Sequence, residues 1–116
     1  MMSQVPTMAR MASWRHALHR MPEIAFTEHR TSKFIVERLS SFGDGCVEIR
    51  SGLGGGTGIV ATIRGTGQLA VDAPRRAIAL RADIDALPIT EEADVPYKSE
   101  IPGVIRSHLE YVDKRH

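Results

Sequence analysis

The stretch Ala77-Ile-Ala-Leu-Arg-Ala-Asp-Ile-Asp-Ala-Leu-Pro88 constrains the fold more than any other part of the chain. Residues 77–82 are apolar except for Arg81, as expected for a strand covered on both faces. The run ends in two carboxylates, Asp83 and Asp85. Alternate side chains of a strand share a face, so Arg81, Asp83 and Asp85 point the same way. The two carboxylates then lie roughly 6.5–7 Å apart along the strand. In open α/β sheets the carboxyl ends of strands border the ligand crevice. A carboxylate there can bind a hard or borderline metal, or orient an imidazole that does. Asp83 and Asp85 can equally cap a loop or pair with Arg81, and their spacing does not separate these roles.

Around this stretch the sequence predicts the order helix, helix, strand, strand, strand. Pro6-Thr7 opens a helix in which Met8, Met11, Ala12 and Leu18 recur at helical spacing, and Pro22 stops it. A second helix is predicted over Glu28 to Phe42, with Thr27 as N-cap and Phe34, Ile35, Leu39 and Phe42 on one face. Gly43 falls where a left-handed C-terminal residue is expected. Cys46 to Arg50 alternates and is rich in β-branched residues, so it is predicted as a strand. Ser51 to Gly56 is a glycine-rich turn, and Ile59 to Ile63 is the next strand. Ala77 to Ala82 is the third. From Leu87 to Gly103, prolines and acidic residues predict irregular structure.

With 116 residues the chain is one domain at most. A formal net charge of +1 gives no steer toward nucleic acid or an anionic membrane. The basic clusters Arg75-Arg76 and Lys114-Arg115-His116 fit solvated loops. Cys46 is the only cysteine, which excludes a disulfide framework and a Cys-x-x-Cys knuckle. No apolar run approaches a signal or membrane segment, so a cytoplasmic protein is expected.

Several local patterns invite chemistry without completing it. Gly52-Leu-Gly-Gly-Gly-Thr-Gly58 is not followed by a helix and carries no Gly-Lys-Ser/Thr, so a turn between strands accounts for it better than a phosphate loop. His16 and His19 share one side of the first helix, but two imidazoles do not make a zinc site. Glu91-Glu92 has the look of a catalytic carboxylate pair, although its acidic, irregular context fits a solvated loop. His108 and Glu110 are weak candidates to ligate metal together with Asp83 or Asp85.

Taken together and in order, these motifs resemble a family. They are Trp14-Arg-His-Ala-Leu-His-Arg-Met-Pro-Glu23, Phe26-Thr-Glu28, Thr57-Gly-Ile-Val-Ala61, Leu80-Arg-Ala-Asp-Ile-Asp-Ala-Leu-Pro-Ile89, Pro96-Tyr97 and Pro102-Gly-Val104. In order and spacing the set is similar to the N-terminal part of M20-family metal-dependent amidohydrolases, which include hippurate, N-acyl-amino-acid and auxin-conjugate hydrolases. The resemblance covers residues 14–104.

It implies an α/β fold: the incomplete N-terminal part of a zinc-exopeptidase-like catalytic domain, without the family's dimerisation domain. It also implies divalent metal (zinc, manganese or cobalt) and small N-acyl amino acid substrates for the full-length family. Asp85 matches the family's orienting aspartate, and Asp83 stands where many relatives have a metal-binding histidine. After Pro-Gly-Val this branch continues into His-Ala-Cys-Gly-His-Asp-x-His, whose Cys and second His bind metal. Here residues 105–116 diverge. Aligned without gaps, His108 falls at the cysteine position and Glu110 at the histidine position. With most ligands and the general base missing, the chain is expected to be inactive and to bind no metal stably. Two alternatives stand beside this reading: an interaction module that self-associates through exposed sheet edges, and a small metalloprotein using Asp83, Asp85, His108 and Glu110. The missing strands also predict an incompletely covered third strand and low stability.

Overall fold

A computed structural model describes residues 5–43, 45, 47–68, 70–74 and 76–106. Helix α1 spans Met8–Arg20 and helix α2 spans His29–Ser40. They are followed by strands β1 (Val47–Leu53) and β2 (Gly58–Ile63). Among the described residues no helix is long and apolar enough to cross a membrane.

Helix α1 begins as its sequence dictates. Thr7 is the N-cap, and its hydroxyl accepts a hydrogen bond from the Arg10 amide at 3.2 Å. His19 and Arg20 lie in the last turn, where positive charge suits the helix dipole. The predicted apolar stripe is only half covered: Met8 is 78% exposed and Met11 41%.

The start of α2 corrects the sequence expectation. Thr27 does not cap it; its hydroxyl donates instead to the Ile24 carbonyl at 2.8 Å. Glu28 holds the N-cap position but makes no capping bond with its side chain. The carboxylate of Glu23 does that work, accepting from the amides of Arg30 at 3.2 Å and Thr31 at 2.7 Å. An anion at a helix N-terminus satisfies otherwise orphaned amides and opposes the dipole. At the other end Gly43 takes the left-handed conformation expected of it, with φ 89°.

Strands β1 and β2 form an antiparallel hairpin in the register Val47↔Ile63, Ile49↔Ala61 and Ser51↔Ile59, with an irregularity between Ser51 and Leu53. β1 therefore runs three residues beyond its predicted end, and Cys46 lies outside the described residues. Gly52, at φ 76°, takes up the extra residue as glycine readily does in a bulge. Gly58 is needed for a different reason: a Cβ there would sit 2.8 Å from the Leu53 carbonyl oxygen. Helix α2 packs on both strands.

The third predicted strand does not form. Residues 77–85 adopt no helix, strand, turn or bend, and Ile78 is 93% and Leu80 80% exposed. An apolar strand of this kind is stable only between partner strands and under covering layers, and the described residues supply neither. Only its C-terminal end is anchored, by a parallel bridge between Ala86 and Ile24 and an antiparallel bridge between Leu87 and Ile105.

Among the described residues Ala86 and Pro22 are the buried apolar residues, whereas His19, Glu28, Thr31, Ser32, Thr57 and Glu91 are all buried. The accessible surface is 9830 Å², against about 6,300 Å² for a compact monomer of this size. The radius of gyration is 16.8 Å, against about 13 Å for a compact domain. Apolar burial, the main driving force of folding, is therefore scarce. Scanning calorimetry is expected to show a broad, low-enthalpy transition, together with strong binding of a hydrophobic dye before heating. A sharp transition with ordinary enthalpy would contradict this.

Candidate functional site

The two carboxylates that close the 77–85 stretch have separate fates. Asp83 is exposed, and its carboxylate accepts from the Arg81 guanidinium at 3.1 Å. Of its possible roles, the pairing with Arg81 is the one seen. Asp85 is half-buried and lies within electrostatic reach of Arg106, whose positive charge it helps to stabilise. Among the described residues no group of three or more His, Cys, Asp or Glu side chains is placed to hold a metal ion. The described residues thus do not by themselves supply the three or four protein ligands of a zinc centre. His108 and Glu110 lie outside the described residues. An open groove of about 440 Å³ lies between α2 and the hairpin, lined by His29, Ser32, Lys33, Glu37 and Ser51 among others. Neither Asp83 nor Asp85 lines it.

What the structure does assemble is a set of polar ties, the first of them next to Asp85. Arg106 is the largest. Its Nη1 donates to the Ile84 carbonyl at 2.8 Å, its Nη2 to the Thr31 hydroxyl at 2.9 Å and its Nε to the Leu18 carbonyl at 3.2 Å. One guanidinium thereby links α1, α2 and the strand end that carries Asp85. Burial pulls the Arg106 pKa below the usual guanidinium value, and the charges of Glu23, Asp85 and Glu28 oppose that fall. Thr31 is fully buried, and its hydroxyl also donates to Glu23 at 2.7 Å.

A second tie joins Glu28 to Thr57, whose hydroxyl donates to the carboxylate at 2.8 Å. Burial pushes the Glu28 pKa up. Hydrogen bonds from Thr57 and from the backbone outweigh this and hold it below the ordinary value. Thr57→Val leaves the buried carboxylate short of a donor and is expected to cost about 1–2 kcal/mol. Chemical denaturation measures this, and Thr57→Ser should keep most of the stability.

The third tie involves residues whose sequence context conceals it. Glu91 is not in a solvated loop. It is buried, with one carboxylate oxygen 2.8 Å from His19 Nε2 and the other accepting from the Ser99 amide at 2.7 Å. An ionised carboxylate only accepts, so His19 Nε2 carries the proton. Tyr97 stacks on His16 at 3.8 Å and meets His19 edge-on at 5.5 Å. Desolvation, then Arg15 and Arg20, hold His16 below the usual imidazole pKa, which favours a neutral stacked ring.

The Ser99 amide, then His19, hold the Glu91 carboxyl below its ordinary value. A depressed carboxyl stabilises the fold above its unfolded pKa, about 4.3, and that contribution is lost as pH falls through the folded value. On acidification the Tyr97 ring resonances are therefore expected to move toward free-chain positions, and Glu91→Gln should remove that titration. An unchanged acid titration in Glu91→Gln would show that another group controls the loop.

No family model matches the chain. Individual proteins do. Over 93 residues it is 39% identical to thermostable carboxypeptidase 2 of Saccharolobus solfataricus, covering 80% of this chain and 21% of that protein. It is 37% identical over 98 residues to the N-acetyldiaminopimelate deacetylase of Bacillus velezensis, covering 84% of this chain and 24% of the relative. Its backbone superposes on the crystal structure of Bacillus subtilis YXEP, a dinuclear metal binding peptidase from the M20 family. The TM-score there is 0.69 at 37% identity, covering 84% of this chain and 25% of that one. The chain carries part of an M20-family amidohydrolase domain. It spans about a quarter or less of the length of each of these relatives. Within that span of the M20 chain, Asp83 and Asp85 close a segment, residues 77–85, that has no strand partner among the described residues.

Proposed function

We propose that residues 14–104 are the N-terminal part of the catalytic domain of a metal-dependent amidohydrolase acting on N-acyl amino acids, and that residues 105–116 depart from the family pattern. The likeness to a deacetylase of an N-acetylated amino acid supports the substrate class. The dinuclear centre of the structural relative supports divalent metal chemistry in the family. In that chemistry metal polarises an amide carbonyl and activates water. Asp85 is the residue of this chain assigned an orienting role, and Asp83 a lesser one. A cytoplasmic location goes with this reading.

The residues of this chain by themselves do not turn over substrate or hold metal tightly. The observation that carries this is the Arg81–Asp83 ion pair: one of the two carboxylates is engaged by a cation, and among the described residues the other has no further metal-binding side chains grouped with it. The chain, purified with zinc, manganese or cobalt, is expected to hydrolyse N-acetyl and N-benzoyl amino acids no faster than its Asp85→Ala variant. Metal-dependent turnover clearly above that control would reverse the assignment. It would turn attention to Asp83, Asp85, His108 and Glu110 as a small metal site.

A second reading is favoured by the exposure of Ile78 and Leu80 on a segment whose edges pair with no strand among the described residues. Free strand edges template pairing with another chain, so self-association is the expected behaviour of this chain in isolation.

A further inference from the structure

We propose, resting on that self-association, that two copies of this chain pair antiparallel along residues 79–85 about a two-fold axis at Ala82. The backbone selects the edge. Successive residues of an extended strand direct their amides and carbonyls to alternate edges. On the even edge, the Ile84 carbonyl accepts from Arg106 and the Ala86 amide donates to the Glu23 carbonyl at 2.8 Å. That edge faces the chain's own helices. On the odd edge, Leu87 exchanges both of its bonds with Ile105, at 2.7 and 2.9 Å. Upstream of Leu87, residues 79, 81, 83 and 85 have no backbone partner among the described residues. A second copy can add there.

Charge selects the register. Centring the pair on Ala82 sets Arg81 opposite Asp83 of the second copy, and Asp83 opposite its Arg81. On the other face Leu80 meets Ile84. The exposed Arg81–Asp83 pair within each chain becomes two pairs between chains. Other registers lose this match. Centring on Leu80 leaves both charges opposite alanines, and centring on Ile84 sets Asp83 against Asp85. Centring on Asp83 places two copies of that carboxylate face to face. A parallel in-register pair stacks Arg81 on Arg81. Among pairs formed within residues 79–85, the Ala82 register alone has two attractions and no repulsion, and it is isologous, as a two-fold dimer requires.

Cross-linking in a Cys46→Ser background tests the register. Ala82 faces its own counterpart in a non-hydrogen-bonded pair, where Cα atoms approach to about 4.5 Å, within disulfide range. Ala82→Cys is expected to form a covalent dimer on mild oxidation. Ala79→Cys lies about 20 Å from its counterpart and is expected to form none. Arg81→Asp and Asp83→Arg singly should each weaken the dimer about tenfold, and the double reversal should restore it. Light scattering on the unmodified chain separates the two levels of the argument. A monomer overturns both self-association and its register. An oligomer that cross-links equally through Ala79→Cys, or ignores the single reversals, keeps self-association and overturns the register.

Discussion

Replacing Arg106 with methionine is expected to destabilise the fold by about 3 kcal/mol and to release the 84–87 strand end from both helices. The variant keeps the apolar stem but removes three hydrogen bonds made by a charged donor, to Leu18, Ile84 and Thr31. Bonds to charged groups contribute roughly 1.5–3 kcal/mol each. Sharing them on one half-buried side chain makes the total less than additive. The Ile84 carbonyl then loses its donor, the Leu18 carbonyl keeps only the Met21 amide, and Glu23, Asp85 and Glu28 lose the cation that balances them. With Ala86 and Pro22 the only buried apolar residues among those described, apolar packing offers little to replace these bonds. Hydrogen exchange reads the result: the amides of Ala86 and Leu87 should lose protection while the β1–β2 hairpin keeps its own. Equal loss in both regions would mean that Arg106 supports the whole fold rather than this junction. Arg106→Lys should recover only part of the effect, because an ammonium cannot span three divergent acceptors with the guanidinium's fixed fork.

The elements that the sequence predicts correctly are those whose causes are local. Thr7 caps α1 and Pro22 follows its end. Gly43 closes α2, and a glycine turn joins two β-branched runs. The failures share a different cause. Thr27 looks like the cap of α2 because it directly precedes Glu28. The capping carboxylate comes from Glu23, seven and eight residues before the amides it binds, through a loop whose geometry no short window encodes. Residues 77–82 have the composition of a covered strand, but composition specifies a demand for partners and cannot supply them. Glu91 sits among acids and prolines, the signature of a solvated loop, yet a histidine 72 positions earlier turns it inward. Both members of that pair are visible in the sequence; their meeting depends on the loop folding back over α1. Arg106 lies beyond the last of the motifs quoted above, Pro102-Gly-Val104, where nothing in the sequence marks it as structural.

The second large effect is expected at Glu23. Glu23→Ala removes the acceptor for the Arg30 amide, the Thr31 amide and the Thr31 hydroxyl together. Thr31 is fully buried, so no water replaces what is lost there. Losing a helix cap costs roughly 1 kcal/mol, and stranding a buried donor costs about 1–3 kcal/mol more. The expected total is about 2–4 kcal/mol, read by chemical denaturation and as lost helicity of α2 by circular dichroism. Glu23→Gln keeps an acceptor oxygen of the same reach and should recover roughly half. Because Thr31 bonds both Glu23 and Arg106, the two sites should not behave independently. The double variant Glu23→Ala, Arg106→Met is expected to cost clearly less than the two single losses combined, since each already breaks the network through Thr31. Simple additivity would mean that the cap and the guanidinium act separately. Asp85 would then be positioned by Arg106 alone, with no contribution from the start of α2.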